Sequence, residues 1–274
     1  MGLDARYGVG GFLLAREAGL CQIGFVSGVS VASHYWKPGD TSFLPPVTGE
    51  VKVLTSRLWD QSLQEALRRM TRKAQERGAS LVIGVTVSDE EYELGEAGIS
   101  VRVIATGIAV RRDTASPAGG RSVDGDPVLT NLSVQDYWLL IRHSAQVLGM
   151  ACAFGRVAAA VDLGRGAMDN DAGGDHYGGW EAGLNGKAVT LAYSDARAGL
   201  RAQLTALGAD GVVGVQIEHS QHRAADAGQV FIVRSVGTAI KRAVPGTGDA
   251  RPALTIMPVR GLDRLGTDRT GRDA

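Results

Sequence analysis

The segment GASLVIGV, Gly78–Val85, returns in altered form as GADGVVGV, Gly208–Val215. The same offset of 130 residues aligns Val103–Arg112 with Val233–Arg242 without a gap. Across the twenty paired positions that begin at Gly78 and Val103, nine residues are identical, whereas ordinary amino-acid usage gives about one or two by chance. The sequence therefore predicts two copies of one domain.

The same offset, carried backwards, pairs Gly19 with Gly149, Ala15 with Ala145 and Tyr7 with Tyr137. A segment rich in Pro, Gly, Ser and Asp lies between the copies and is typical of a linker. The predicted organisation is a first domain at 1–112, a linker at 113–132, a second domain at 133–243 and a flexible tail at 244–274. Within the tail, residues 253–259 are apolar enough to dock on another part of the protein.

The sequence of each copy predicts the element order β-α-β-β. Apolar residues between Leu58 and Ala74 recur at spacings of three and four, which indicates an amphipathic helix that ends at Gly78. Alternation over Leu81–Val87 indicates a strand, and the acidic stretch 88–98 is interpreted as the turn to a second hairpin strand, Ile99–Val110. Cys21–Ser33 and, in the second copy, 151–161 supply the strand before each helix.

An additional helix precedes each copy. We expect these helices at Leu3–Ala18 and Ser133–Leu148, the second with Ser133 as its N-cap. The predicted fold class is α+β, with two tandem β-α-β-β domains, each a three-stranded sheet covered by a helix on one face. Both faces of the hairpin strands are apolar or glycine, so the uncovered face of each sheet needs a partner.

Composition places few limits on function. The 29 basic and 29 acidic residues cancel, which gives no reason to expect a nucleic-acid partner. We expect Cys21 and Cys152 to be buried, reduced thiols, and we expect a cytoplasmic location because the N-terminus lacks the pattern of a signal peptide. The apolar stretches are too short to span a membrane.

The repeated segments, VIGV or VVGV followed by a strand that ends in GIAV or GTAI, resemble the YbjQ-like family, whose members are labelled as heavy-metal-binding domains. The resemblance implies a β-α-β-β subunit of dodecin-like topology that assembles into pentameric rings. We therefore expect a homopentamer with ten domains, a ring of first copies stacked on a ring of second copies. Its function would be that of a non-enzymatic scaffold in a larger complex.

Two groups of residues are candidate metal ligands. The alternative to a scaffold function is therefore the binding of a metal or small ligand at subunit interfaces. Glu218, His219 and His222 lie close together in the predicted second hairpin turn, and imidazole is a common ligand of divalent metals. A glycine-rich stretch carries the oxygen donors of the other group, Asp169, Asp171 and Asp175, together with His176. No catalytic constellation or resident cofactor is predicted.

A third set of residues is predicted to serve assembly. The strand glycines would leave sheet backbone open to a close neighbour, and the aromatic residues, on loops before each helix, would contact other proteins or subunits. These residues are Gly84, Gly107, Gly214, Gly237, Trp36, Tyr177 and Trp180.

Overall fold

The computed structural model describes residues 9–37, 50–94, 98–112, 125–160, 177–223, 228–241 and 257–258. The elements, in chain order, are α1 (Val9–Glu17), β1 (Leu20–Tyr35), β2 (Val51–Leu54), α2 (Arg57–Glu76), β3 (Leu81–Glu93), β4 (Gly98–Arg112), β5 (Val128–Leu129), α3 (Val134–Arg142), β6 (Gln146–Ala160), α4 (Tyr177–Ala206), β7 (Gly211–Arg223), β8 (Gly228–Lys241) and β9 (Met257–Pro258).

Two sheets with the same central order form an α+β fold. The first sheet has the order β1-β4-β3-β5, and the second has the order β2-β6-β8-β7-β9. The three central strands of each sheet are antiparallel and come from one copy, as predicted. The sheets contain four and five strands rather than three, because short segments add to their edges.

One of these edge strands joins the two domains. β2 lies between β1 and α2 in the chain, yet it pairs with β6 of the second domain, with Val51 opposite Ala159 and Leu54 opposite Arg156. At the opposite edges, β5 pairs with β3, and β9 pairs with β7 at Gly211 and Val212. Residues 257–258, within the predicted docking segment, thus extend the second sheet.

Each sheet carries a helix in close contact on one face. A Cβ added at Gly28 of β1 would lie 1.9 Å from the carbonyl oxygen of Ala66 in α2. A Cβ added at Gly155 of β6 would lie 2.1 Å from the carbonyl oxygen of Ala192 in α4. Glycine at these positions is therefore required for helix–sheet packing. The apolar stripe of α2, including Trp59, Leu63, Ala66 and Met70, is buried against this face.

The N-terminal helices α1 and α3 pack together in a separate core. Ala15 of α1 and Tyr137 and Leu140 of α3 cluster with Leu81 of β3 and Ile240 of β8. The Ser133 side chain accepts a hydrogen bond from the Asp136 amide at 3.1 Å, which confirms the predicted N-cap. α3 ends at Arg142, well before the predicted Leu148, because Ser144 adopts a left-handed conformation (φ 56°) and β6 begins at Gln146.

The structure corrects the backward alignment of the copies. Val110 pairs with Gln22, and its equivalent Ile240 pairs with Val147. Gly24, not Gly19, is therefore the counterpart of Gly149, so that the offset is 125 residues in the first strand. The second copy is five residues longer between its first strand and its hairpin, which sequence matching without gaps does not reveal.

The acidic stretch 88–93 does not form the predicted turn. It continues β3 as far as Glu93 instead of forming a turn, with Asp89 opposite Val103 and Glu91 opposite Val101. Asp and Glu are disfavoured in strands when considered alone. In this fold, however, they pair with long β4 and gain partners in the second domain, as described below.

The conformations and contacts of the four strand glycines within one chain explain why these positions are glycine. Gly84 and Gly214 lie at β-bulges with φ of 64° and 62°, a conformation that disfavours other residues. No heavy atom lies within 4 Å of a Cβ added at Gly84, and the Gly84 amide donates to the carbonyl oxygen of Leu132 at 2.9 Å. Gly107 and Gly237 leave space for Val82 and Val212 of the adjacent strands, each 2.6 Å from the added Cβ. The assembly role of the four glycines stays a prediction.

We predict that Gly84→Ala lowers the free energy of unfolding by about 1–2 kcal/mol, because alanine is strained at positive φ. Chemical denaturation followed by circular dichroism measures the change. The matched control is Gly183→Ala, since Gly183 lies within α4 with open space around it, and we expect a gain of up to about 1 kcal/mol. Equal effects of the two substitutions would contradict the bulge explanation.

Candidate assembly interface

The helix-free face of the second sheet is covered by the first domain. This face carries Cys152, Phe154 and Arg156 on β6, and Ile232, Arg234 and Val236 on β8, according to the strand register. Its apolar residues join one buried cluster with Trp59 of α2 and Val87 of β3. The face of the second sheet contacts one surface of the first domain, which is called the β3 surface below. It consists of Trp59, Val87, Asp89 and Glu91.

A charged network lies within this contact. The Arg234 guanidinium donates hydrogen bonds to Asp89 of the first domain and to Glu218 of its own sheet. Burial raises the pKa of Asp89, while Arg234 and, more weakly, His222 act in the opposite direction. A buried carboxylate and guanidinium that satisfy each other hold the two domains in one register.

The second arginine of the face is more deeply buried. The Arg156 guanidinium carbon lies 3.6 Å from the centroid of the Trp59 ring, and Nη1 donates to the carbonyl oxygen of Thr55 at 3.2 Å. Glu91 supplies a carboxylate 3.6 Å from Nη2. Burial lowers the pKa of Arg156 to about 10, and Glu91 opposes this shift. Stacking on an indole and pairing with a carboxylate compensate the loss of water around the cation.

The equivalent face of the first sheet is exposed. Phe25, Val29, Val31 and Tyr35 project from the helix-free side of β1 and form, with Ile104 of β4, the surface called the open face. Val29 is 40% exposed, whereas its counterpart Phe154 in the second sheet is 3% exposed. Val31 is 60% exposed, whereas its counterpart Arg156 is 2% exposed.

The surface equivalent to the β3 surface is exposed in the second domain. It consists of Ile217, His219 and Gln221 on the helix side of β7, and is called the β7 surface below. Ile217 is 43% exposed, while its counterpart Val87 is 7% exposed. Each chain thus presents one uncovered sheet face and one uncovered surface of the kind that covers such a face.

The free edge of β1 is partly protected. Arg77, Lys73 and Arg69 of α2 donate to the carbonyl oxygens of Phe25, Ser27 and Val29 at 2.7, 2.9 and 2.7 Å. The helix face that carries these cations therefore caps a strand edge, which is one way of preventing unwanted pairing. Beyond Val29 the β1 edge pairs with no other strand in the part of the chain that the structure describes.

The predicted histidine metal site is not brought together. His219 and His222 lie in strand β7, not in a turn, and their spacing of three places them on opposite faces. His219 lies near Tyr193 of α4, with Nδ1 3.4 Å from the hydroxyl oxygen, whereas Glu218 pairs with Arg234 on the other face. Over the described ranges, no group of three His, Cys, Asp or Glu side chains could hold a metal ion.

Other predicted site residues can be placed only in part. Asp169, Asp171, Asp175 and His176 lie outside the described residues. Tyr177 and Trp180 belong to the first turn of α4 rather than to a loop, and their side chains are outside the described part. Trp36 is half-buried against the first domain's core and makes an edge contact with His34.

Sequence reasoning did not identify Asp89, Glu91, Arg156 or Arg234 as interface residues. The signal that could have found them is the alternation of acidic residues at 89 and 91, which places both carboxylates on one face if the segment is a strand. An arginine in the otherwise apolar stretch Ala151–Ala160 was a second signal, since a buried cation needs a partner.

Known proteins resemble the first domain. Residues 20–113 match the YbjQ family model described as "Putative heavy-metal-binding". A UPF0145 protein from Picosynechococcus is 36% identical over 55 residues, which cover 20% of this chain and 51% of the relative. The chain thus spans about half the length of this curated relative.

One solved structure is similar to part of the chain. It is a protein of unknown function of the DUF74 family from Pediococcus pentosaceus, with 18% identity, a TM-score of 0.24, and coverage of 35% of this chain and 87% of that one. Residues 20–113 are therefore similar to the YbjQ/UPF0145 family, as the sequence motifs indicated. The family model does not extend to the second domain.

No helix within the described ranges is long and apolar enough to cross a membrane.

We predict that Arg234→Ala lowers the free energy of unfolding by about 3–5 kcal/mol, because it leaves Asp89 buried without its cation. The matched control is Arg72→Ala, which removes the exposed pair with Glu76 on α2. We expect less than about 1 kcal/mol there. Urea denaturation measures both changes, and similar losses would show that the Arg234 pair does not hold the domains together.

The two cysteines give a second prediction. Cys152 is buried at the domain contact, and burial raises the pKa of its thiol to about 12. Cys21 is exposed, contrary to expectation. Because the thiolate is the reactive form, a thiol reagent at neutral pH should label Cys21 alone in the native protein and both cysteines in denaturant. Rapid native labelling of Cys152, identified by mass spectrometry of peptides, would contradict a closed domain contact.

Proposed function

We propose that the protein is a non-enzymatic, ring-forming assembly protein with two YbjQ-like domains in each chain, and that the ring acts as a scaffold in a larger complex. One observation carries this proposal: the same sheet face is buried in the second domain and exposed in the first. An exposed apolar face on a stable domain is typical of an interaction surface.

The contact inside the chain suggests how the ring is built. The β3 surface of the first domain and the sheet face of the second domain are different surfaces, so the contact is heterologous. Repetition of a heterologous contact yields a closed ring when the rotation closes. Side-by-side packing of the two domains favours one ring in which they alternate, in place of two stacked rings.

Five chains and ten domains are the predicted stoichiometry, and in an alternating arrangement all ten domains belong to one ring. The second domain has the same order of helices and central strands as the first and the same bulge position, which supports its assignment to the same family. The aromatic segments and the tail remain predicted sites of contact with other proteins.

The alternative function, metal or small-ligand binding, is tested by elemental analysis of the purified protein. Stoichiometric metal that is lost in the His219→Ala/His222→Ala double variant would support this alternative. Metal that is retained in the double variant would exclude these two histidines as ligands, and the aspartates of 169–175 would be tested next.

Native mass spectrometry at micromolar concentration tests the ring. We expect a discrete oligomer, with a predicted mass of five times the 28.7 kDa chain. Phe25→Asp should dissociate it by placing a charge on the open face, because charged groups are disfavoured in the core of an interface. The control Leu207→Asp changes an exposed apolar residue after α4 and should leave the oligomer intact. A monomeric wild-type chain would refute the proposal.

A further inference from the structure

The contact between the two domains of one chain specifies a second contact between chains. We propose that the open face binds the β7 surface of a second copy of this chain, in the register in which the β3 surface covers the second sheet. This inference rests on the proposed self-assembly and adds the identity of the two surfaces and their residue pairing.

Strand register defines which positions correspond. Val31 pairs with Arg102 and Arg156 pairs with Ile232, and these two partners are 130 residues apart. Val31 is therefore the counterpart of Arg156. By the same argument, Ile104 is the counterpart of Arg234.

On the covering surface, the hairpin offset makes His219 the counterpart of Asp89 and Gln221 the counterpart of Glu91. The pairs Arg234–Asp89 and Arg156–Glu91 inside the chain thus become Ile104–His219 and Val31–Gln221 between chains. The predicted contact contains no fixed charge at these four positions.

The difference in charge selects the partner. If the β3 surface of another chain occupied the open face, Asp89 and Glu91 would face Ile104 and Val31 in place of their arginines. The neighbouring cation, Arg102, is already paired with Glu90. If the β7 surface occupied the second sheet, the buried arginines would lose Asp89 and Glu91. Each wrong pairing is disfavoured by unpaired buried charge, so the two domains must alternate.

The edge of β1 agrees with this register. β2 of the first domain pairs with residues 156–159 of β6, whose counterparts in β1 are residues 31–34. The basic side chains of α2 cap the carbonyl groups of 25, 27 and 29 and stop before Val31. Residues 31–33 of β1 correspond to residues 156–158 of β6, which receive an added strand in the second domain, and we expect an incoming chain to add at this part of the edge.

Thiol cross-linking tests the register. In a Cys21→Ser background, the double variant Val31→Cys/Gln221→Cys should be joined between chains by a bismaleimide that spans the length of an arginine–glutamate pair, and should give a ladder in denaturing electrophoresis. The control Val31→Cys/Ser220→Cys moves one thiol to the neighbouring residue on the opposite face of β7. We expect at least a tenfold lower yield of cross-linked chains from this control.

Introducing an arginine–glutamate pair into the proposed contact between chains provides an independent test. Val31→Arg alone should weaken association by about a hundredfold, because it buries an arginine without a carboxylate. Adding Gln221→Glu reproduces the Arg156–Glu91 pair between chains and should restore most of the association measured by sedimentation. Unchanged circular dichroism and unfolding of the dissociated variant would show that the chain itself still folds.

The outcomes separate this inference from the ring proposal. A ladder that ends at dimers or extends without limit, together with rescue by Gln221→Glu, supports the pairing and refutes a closed ring. A stable oligomer that neither cross-links through positions 31 and 221 nor responds to Val31→Arg refutes the pairing and leaves the ring. A wild-type chain that remains monomeric refutes both.

Discussion

Two buried arginines of the second domain pair with carboxylates of the first domain. Arg234 is paired with Asp89, and Arg156 is held between Trp59 and Glu91. Replacing such pairs by apolar residues is often neutral, but removal of one partner is costly because the other charge stays buried. The main effect of these pairs is therefore to determine which surfaces of the two domains can meet, and their contribution to stability is secondary. The arrangement of the two domains follows from this restriction.

The duplicated domains keep one fold while their surfaces have diverged. Both place a helix close to a strand glycine, and both hairpins contain a bulge at a glycine of positive φ. Their helix-free faces differ, since the first has Val31 and Ile104 where the second has Arg156 and Arg234. Because of this divergence, the β3 surface covers the second sheet within the chain. The open face and the β7 surface stay uncovered.

Local sequence signals predicted the elements better than the contacts between them. The helix that ends at Gly78 and the strand that follows were predictable, because glycine capping and two-residue alternation act within a few residues. The segment 88–93 was misassigned since the strand character of acidic residues depends on distant partners. The pair His219 and His222 resembled a ligand motif only while it was placed in a turn, because a strand directs the two side chains to opposite faces.

By itself, the sequence determined the internal repeat, the β-α-β-β order of each copy and the apolar character of both faces of the hairpin strands. These properties follow from residue identity, periodicity and glycine positions, which are local. Only the tertiary structure decided that the first domain covers the second, that β2 joins the neighbouring sheet, and that the open face belongs to the first domain. The physical reason is that burial of a charge depends on a partner far away in the chain, and the pairing of Arg234 with Asp89 exists only when both domains are folded.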